Sequence, residues 1–279
     1  MTPRFELLAG GFGLVEGPRV DDEGRLYFSD ARGGGVYCRQ PTGEVETVVP
    51  KRRGVGGIAI HADGGIVISG RDISHVRDGS TRSVFRREDV PGFNDLFTDA
   101  AGGVWVGSQM ADPFAKGPKA APGELFRIGA DGTAEALYGD VGLTNGIGFS
   151  PDGTRLYHSD SARGHVIGHA LDEFGRCSAR SVFVETKGGA PDGLAVDEEG
   201  CVWVALYGGG CVARYTPDGK LDRRLEVPAR AVASVSFGGS DRRDLYVATG
   251  DNLDDPALRG SIFRTRVDVA GLPAPKARV

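Results

Sequence analysis

Long hydrophobic runs are missing from this 279-residue chain, and its start shows no cationic segment followed by an apolar core. A membrane-spanning helix needs about 20 apolar residues in a row, so no membrane partner is expected. Without a leader pattern the expected location is cytoplasmic. Basic blocks are scarce too. With 33 Lys and Arg against 38 Asp and Glu, the formal net charge is −5. The single short cationic run, residues 51–53 (KRR), is read as a solvated loop, so nucleic acid is not an expected partner. Only four cysteines occur, Cys38, Cys177, Cys201 and Cys211, at spacings that match no metal motif. Reduced packing thiols are expected. The five histidines, His61, His75, His158, His165 and His169, share no register and no ligand spacing. Ser108, Ser159 and Ser161 lack a nucleophile-elbow setting, which argues against a Ser-His-Asp triad. No helix-period segment stands out either.

Glycine is abundant, at 45 residues, and is joined by 15 prolines. That composition suits many short strands connected by tight turns. One phrase returns six times: VEGPRVDDEGRLYFSD from Val15, GGIAIHADGGIVISG from Gly56, FNDLFTDAAGGVWVGS from Phe93, TNGIGFSPDGTRLYHSD from Thr144, PDGLAVDEEGCVWVAL from Pro191 and ASVSFGGSDRRDLYVATG from Ala233. The strands after the turns start at Leu26, Ile66, Val104, Leu156, Val202 and Leu245. A spacing of roughly 40 to 50 residues is that of one four-stranded blade. The chain therefore reads as all-β, a single six-bladed β-propeller domain over residues 1–279. The last blade reaches only its third strand, SIFRTRV from Ser261, and FELLA from Phe5 is expected to supply the fourth and close the ring.

Counting back eight residues from the turn glycines Gly24, Gly64, Gly102, Gly153 and Gly200 gives Glu16, Gly56, Asn94, Asn145 and Asp192, with Ser234 at the matching place in the sixth copy. Equivalent positions of innermost strands surround one axis. Two carboxylates and two carboxamides converging there, away from water, call for a cation. Oxygen donors favour Ca²⁺ and admit Mg²⁺, Mn²⁺ or Zn²⁺, with water or substrate completing the shell. Asp95, next to Asn94, is expected to turn away by strand alternation and to serve structure. Asp22, Asp63, Asp99, Asp152 and Asp197 are read as solvated turn residues. Asp30 and Asp160 are read as loop hydrogen-bonders, and Trp105 and Trp203 as packing between blades. The long segment 109–123 between the second and third strands of blade three is expected to lie over the metal as a lid.

VEGPRV at Val15, FND at Phe93, LTNGIGFSPDGTRLYHSDS at Leu143 and GGAPDGLAVDEEGCVWVAL at Gly188 resemble the regucalcin/gluconolactonase family of six-bladed propellers. The resemblance runs through almost the whole chain. It implies a divalent-metal-dependent lactonase whose metal is held by Glu16, Asn145 and Asp192, with Asn94 facing substrate or a metal-bound water. Asp192 is taken as the general base. Two departures bear on substrate: Gly92 stands where aldonolactone-cleaving members often carry arginine, and Lys119 where they often carry an acid. A small-molecule lactone or ester is expected, with a sugar lactone not assured. The alternatives are a phosphotriesterase or fluorophosphatase and a non-enzymatic calcium-binding propeller. The residues leave the oligomeric state open.

Overall fold

Turn glycines punctuate each repeat because the turn needs a left-handed backbone: Gly24, Gly64, Gly102, Gly153 and Gly200 have φ between 70° and 94°. The apolar and β-branched stretches on either side then pair as antiparallel strands. A computed structural model describes residues 4–111, 121–252 and 255–279, and they form six four-stranded sheets. Five sheets use four consecutive strands each, counted outward from the axis. Their innermost strands are Val15–Val20, Ile58–Ile60, Gly92–Thr98, Thr144–Phe149 and Ala190–Val196. The sixth starts at Val232–Gly238 and takes its outermost strand, Glu6–Ala9, from the beginning of the chain. This is the expected six-bladed propeller. The clasp has Glu6 opposite Arg264 and Leu7 opposite Phe263, with an ion pair of 2.6 Å between Glu6 and Arg264 and an edge-on contact of Phe5 with Phe263. Helical residues among those described amount to one 3-10 turn, Pro256–Leu258. Among the described residues no helix is long and apolar enough to cross a membrane.

Blades hold one another through aromatic wedges. Trp105 meets Phe149 of the next blade edge-on at 5.1 Å, and Trp203 meets Phe237 likewise at 5.7 Å. Beneath each tryptophan the structure corrects the sequence reading. Asp197 is fully buried, not solvated, and accepts hydrogen bonds from Trp203 Nε1, Arg214 Nε and the backbone N–H groups of Glu199 and Cys201. Asp99 repeats the pattern with Trp105 Nε1, Arg127 Nε and the N–H groups of Ala101 and Gly103. A turn acid thus fixes both its own turn and the wedge behind it. The 51–53 loop is also less solvated than expected, since Arg52 bonds Asp72 at 2.6 Å and the Ser69 carbonyl at 3.1 Å. Asp30 and Asp160 do act as loop hydrogen-bonders, accepting from Gly13, Leu14 and Gly33 and from Gly142, Leu143 and Arg163 respectively. The four cysteines are free.

The C-terminal segment crosses one face of the wheel. Leu272 N–H donates to the Val196 carbonyl on blade five, Lys276 pairs with Asp22 on blade one at 2.6 Å, and Ala277 N–H donates to the Ile60 carbonyl on blade two. Ala277 and Val279 finish in the core beside Ile73 and Phe93.

Candidate metal centre

The innermost strands are not regular where they meet the axis. Register shifts fall between Glu16 and Arg19, Phe93 and Leu96, Thr144 and Ile147, Pro191 and Leu194, and Val232 and Ser234. Such bulges bend a strand and re-aim its side chains. Gly17, directly after Glu16, has φ of 57° and supplies the left-handed residue of the first bulge.

Polar side chains link these bulges from blade to blade around the hub. Asn94 Nδ2 donates to the Thr144 carbonyl at 2.8 Å. Asn145 Nδ2 donates to Ser161 Oγ at 3.1 Å, and Ser161 Oγ donates in turn to the Pro191 carbonyl at 2.6 Å, one residue before Asp192. Asn94 thus spends its nitrogen on the next blade and Asn145 on Ser161 of its own blade, which leaves their oxygens free to ligate. Gly56 has no side chain because Asn94 Oδ1 occupies the space a Cβ would take, and Gly193 makes room for Ser234 in the same way.

Glu16, Asn145 and Asp192 are each less than a tenth exposed. Burial pushes the Glu16 carboxyl well above the usual range, and the charges of Asp192 and Asp95 push it further. Asp192 is raised by burial and by Asp95, against a lowering hydrogen bond from Gly193 N–H. Its Oδ1 is buried without a hydrogen-bond partner. Two buried carboxylates at one hub, one with an orphaned oxygen, fit a divalent cation. Among the described residues no three His, Cys, Asp or Glu side chains form a metal cluster. The donor set that fits is a mixed one of two carboxylates with carboxamide oxygen, all hard ligands.

The structure brings Glu16, Asn94, Asn145 and Asp192 to one hub, as the shared register implies. Asp95 departs from the alternation argument. The register break removes strict alternation, so its carboxyl is buried in the channel wall, raised to about 6 by burial against the opposing effects of Arg19 and the Leu96 N–H. Tyr207 was not singled out by the sequence. Its phenol is raised mainly by burial, with Asp192 and Glu16 adding to the rise, so it shares this end of the channel. Residues 112–120 of the expected lid, Lys119 included, lie outside the described residues. Gly92 is a half-buried strand residue facing the Gly70 carbonyl.

Comparison with known proteins identifies the family. Residues 14–251 match the SMP-30/gluconolactonase/LRE-like family. The chain belongs to this family. Among its relatives, the pentonolactonase XacC of Haloferax volcanii is 36% identical over 93% of both chains, and the 6-deoxy-6-sulfogluconolactonase of Pseudomonas putida is 33% identical over 90% of this chain and 89% of that one. A calcium-binding regucalcin from Agrobacterium tumefaciens superposes with a TM-score of 0.88 at 26% identity, covering 100% of this SMP-30/gluconolactonase-like chain and 99% of the other.

Proposed function

We propose that the protein is a divalent-metal-dependent lactonase that opens a small lactone to its hydroxy acid at the hub. The observation that carries this reading is the orphaned, buried Asp192 Oδ1 beside a second buried carboxylate. Lactone hydrolysis by named relatives over nearly the full chain supports it. Glu16, Asn145 and Asp192 would hold the ion, with Ca²⁺ favoured by the oxygen donors and by the calcium-binding relative. When bound, the ion would polarise the lactone carbonyl and offset the negative charge that develops on its oxygen.

The chain's own residues do the rest. Asn94, tied by its nitrogen to Thr144, presents its oxygen to the substrate or to the attacking water. The Asp192 carboxylate takes a proton from that water as the water oxygen bonds to the carbonyl carbon. The ring C–O bond then breaks, and the departing oxygen takes the proton back from Asp192. Glu16 chiefly supplies charge for the ion, and the Asn145–Ser161–Pro191 chain keeps the carboxamide in place.

Sugar lactones, aliphatic lactones, aryl esters and an organophosphate should be assayed with and without chelator. Lactone opening that chelator abolishes is expected, with a sugar lactone not assured as the best substrate because Gly92 offers no arginine. Asp192→Asn should lose about 10²- to 10⁴-fold in turnover. Turnover that survives metal removal, or organophosphate hydrolysis without lactone opening, would overturn the reading.

A further inference from the structure

A cavity of about 570 Å³ lies beyond the carboxylates, at the opposite mouth of the channel. Its origin is visible in strand register. One level of the innermost strands consists of Arg19, Ala59, Phe97, Gly148, Ala195 and Ser236, which face Tyr27, Val67, Trp105, Tyr157, Trp203 and Tyr246 on the second strands. Four of these six are small, so the channel is hollow there. Phe149 and Phe237, both half-buried, line the hollow further out, and the C-terminal segment from Leu272 to Lys276 runs across its opening.

Three acids at the rim are paired, Asp21 with Arg25, Asp99 with Arg127 and Asp22 with Lys276, and three more, Asp152, Asp172 and Glu173, are exposed to solvent. Inside, the arrangement differs. Arg19 is 6% exposed and lies over the Phe97 ring at 5.3 Å. Its guanidinium carries five N–H donors, and among the described residues it reaches only the Pro18 carbonyl at 2.8 Å and the Leu96 carbonyl at 3.4 Å. Asp95 acts on it from beyond ion-pair distance.

We infer that this cavity is a second ligand site, separate from the hub, for an aromatic monocarboxylate whose rings lie against Phe97, Phe149 and Phe237 and whose carboxylate meets Arg19. The volume is within the range of about 300–1,000 Å³ usual for small-molecule sites. One buried cation matches one carboxylate. A polyol or a polyphosphate would leave most of its polar groups against phenyl rings.

The test is calorimetric titration of the full chain with 1-naphthaleneacetate and with its neutral amide, in chelator, so that no ion at the hub can capture the acid. The acid is expected to bind at least tenfold more tightly than the amide. Arg19→Met should erase that difference by weakening the acid alone, and Ser236→Phe, which fills the hollow, should abolish binding of both while leaving the melting temperature within a few degrees of wild type. Equal affinity of acid and amide for the wild type overturns the proposal, as does undiminished acid binding by Ser236→Phe. Should Arg19→Met fail to fold, the other two comparisons still decide. Because binding is read without metal, its failure leaves the lactonase reading intact, and loss of lactonase activity leaves this site intact.

Discussion

A carboxylate taken out of water needs a counter-charge or a proton, and Glu16 and Asp192 raise each other's demand for one. Both are held above the ordinary carboxylate range. The metal-free folded state therefore binds more protons than the unfolded chain at neutral pH, and these two groups cost stability as pH rises through their raised values. Glu16→Gln removes one of the charges. In chelator at pH 8 the variant should be the more stable protein by about 1–2 kcal/mol, a rise of roughly 2–8 °C in Tm. In saturating calcium the order should reverse, and a variant that stays below wild type in both conditions would refute the charge argument. His158 has the opposite sign. It is buried, bonded through Nδ1 to Tyr138 at 2.7 Å, and lowered to about 3 by burial first and then by His169 and Arg180. Its contribution is full above pH 6.5 and is lost as pH falls, at about 1.4 kcal/mol per unit. The stability gap between wild type and His158→Leu, measured by denaturant midpoint, should accordingly close between pH 6.5 and 4. At this scale the sequence was legible where register alone decides, as for Glu16, Asn94, Asn145 and Asp192. It was not legible where a bulge re-aims a side chain, as at Asp95. Asp99 and Asp197 lie between these cases. Each stands six residues before a tryptophan, and an arginine follows on the next strand, but only the folded wedge shows that the three meet.

Strands and turns were the most readable elements, because glycine turns and apolar runs carry their own local signal. The clasp could be foreseen for a different reason: one blade lacked a strand and one spare strand stood at the other end of the chain. Its removal should uncover the Ile262–Arg266 strand, whose Ile262 and Phe263 are buried. Deleting residues 1–10 is expected to cost about 3 kcal/mol, seen as a fall of roughly 6–12 °C in Tm with a broadened transition. An unchanged, cooperative melt would show that the sixth sheet does not need its fourth strand. The C-terminal strap had no comparable signal. Its sequence is Pro-rich and aperiodic, and its hydrogen bonds go to Val196, Ile60 and Gly102 on blades distant in sequence. Blade two is the other element that reads less clearly. Its innermost strand starts only at Ile58, because Gly56 and Gly57 donate to Ser69 Oγ and yield their space to Asn94 and Leu96.

For the molecule as a whole, the wheel can be held at its rim and at its hub. The rim closure is the Glu6–Ala9 strand on blade six, and the proposed hub closure is an ion shared by blades one, four and five. Glu16, Asn145 and Asp192 are remote in sequence, so an unclosed chain holds them in no fixed relation, and most of the ordering needed for binding is supplied by the closed ring. The two closures should therefore strengthen one another. An ion that binds only the folded state adds about 2.7 kcal/mol at a concentration a hundred times its Kd, which in wild type should raise Tm by roughly 5–11 °C for a chain of this size. In the chain lacking residues 1–10, part of that binding energy must first restore the ring. Calcium affinity measured by calorimetry should accordingly fall at least fivefold, and the increase in Tm at the same calcium concentration should fall short of that of wild type by roughly 2–4 °C. Equal affinity in the two chains would mean that the hub forms without the clasp, and that blades one, four and five alone fix its geometry.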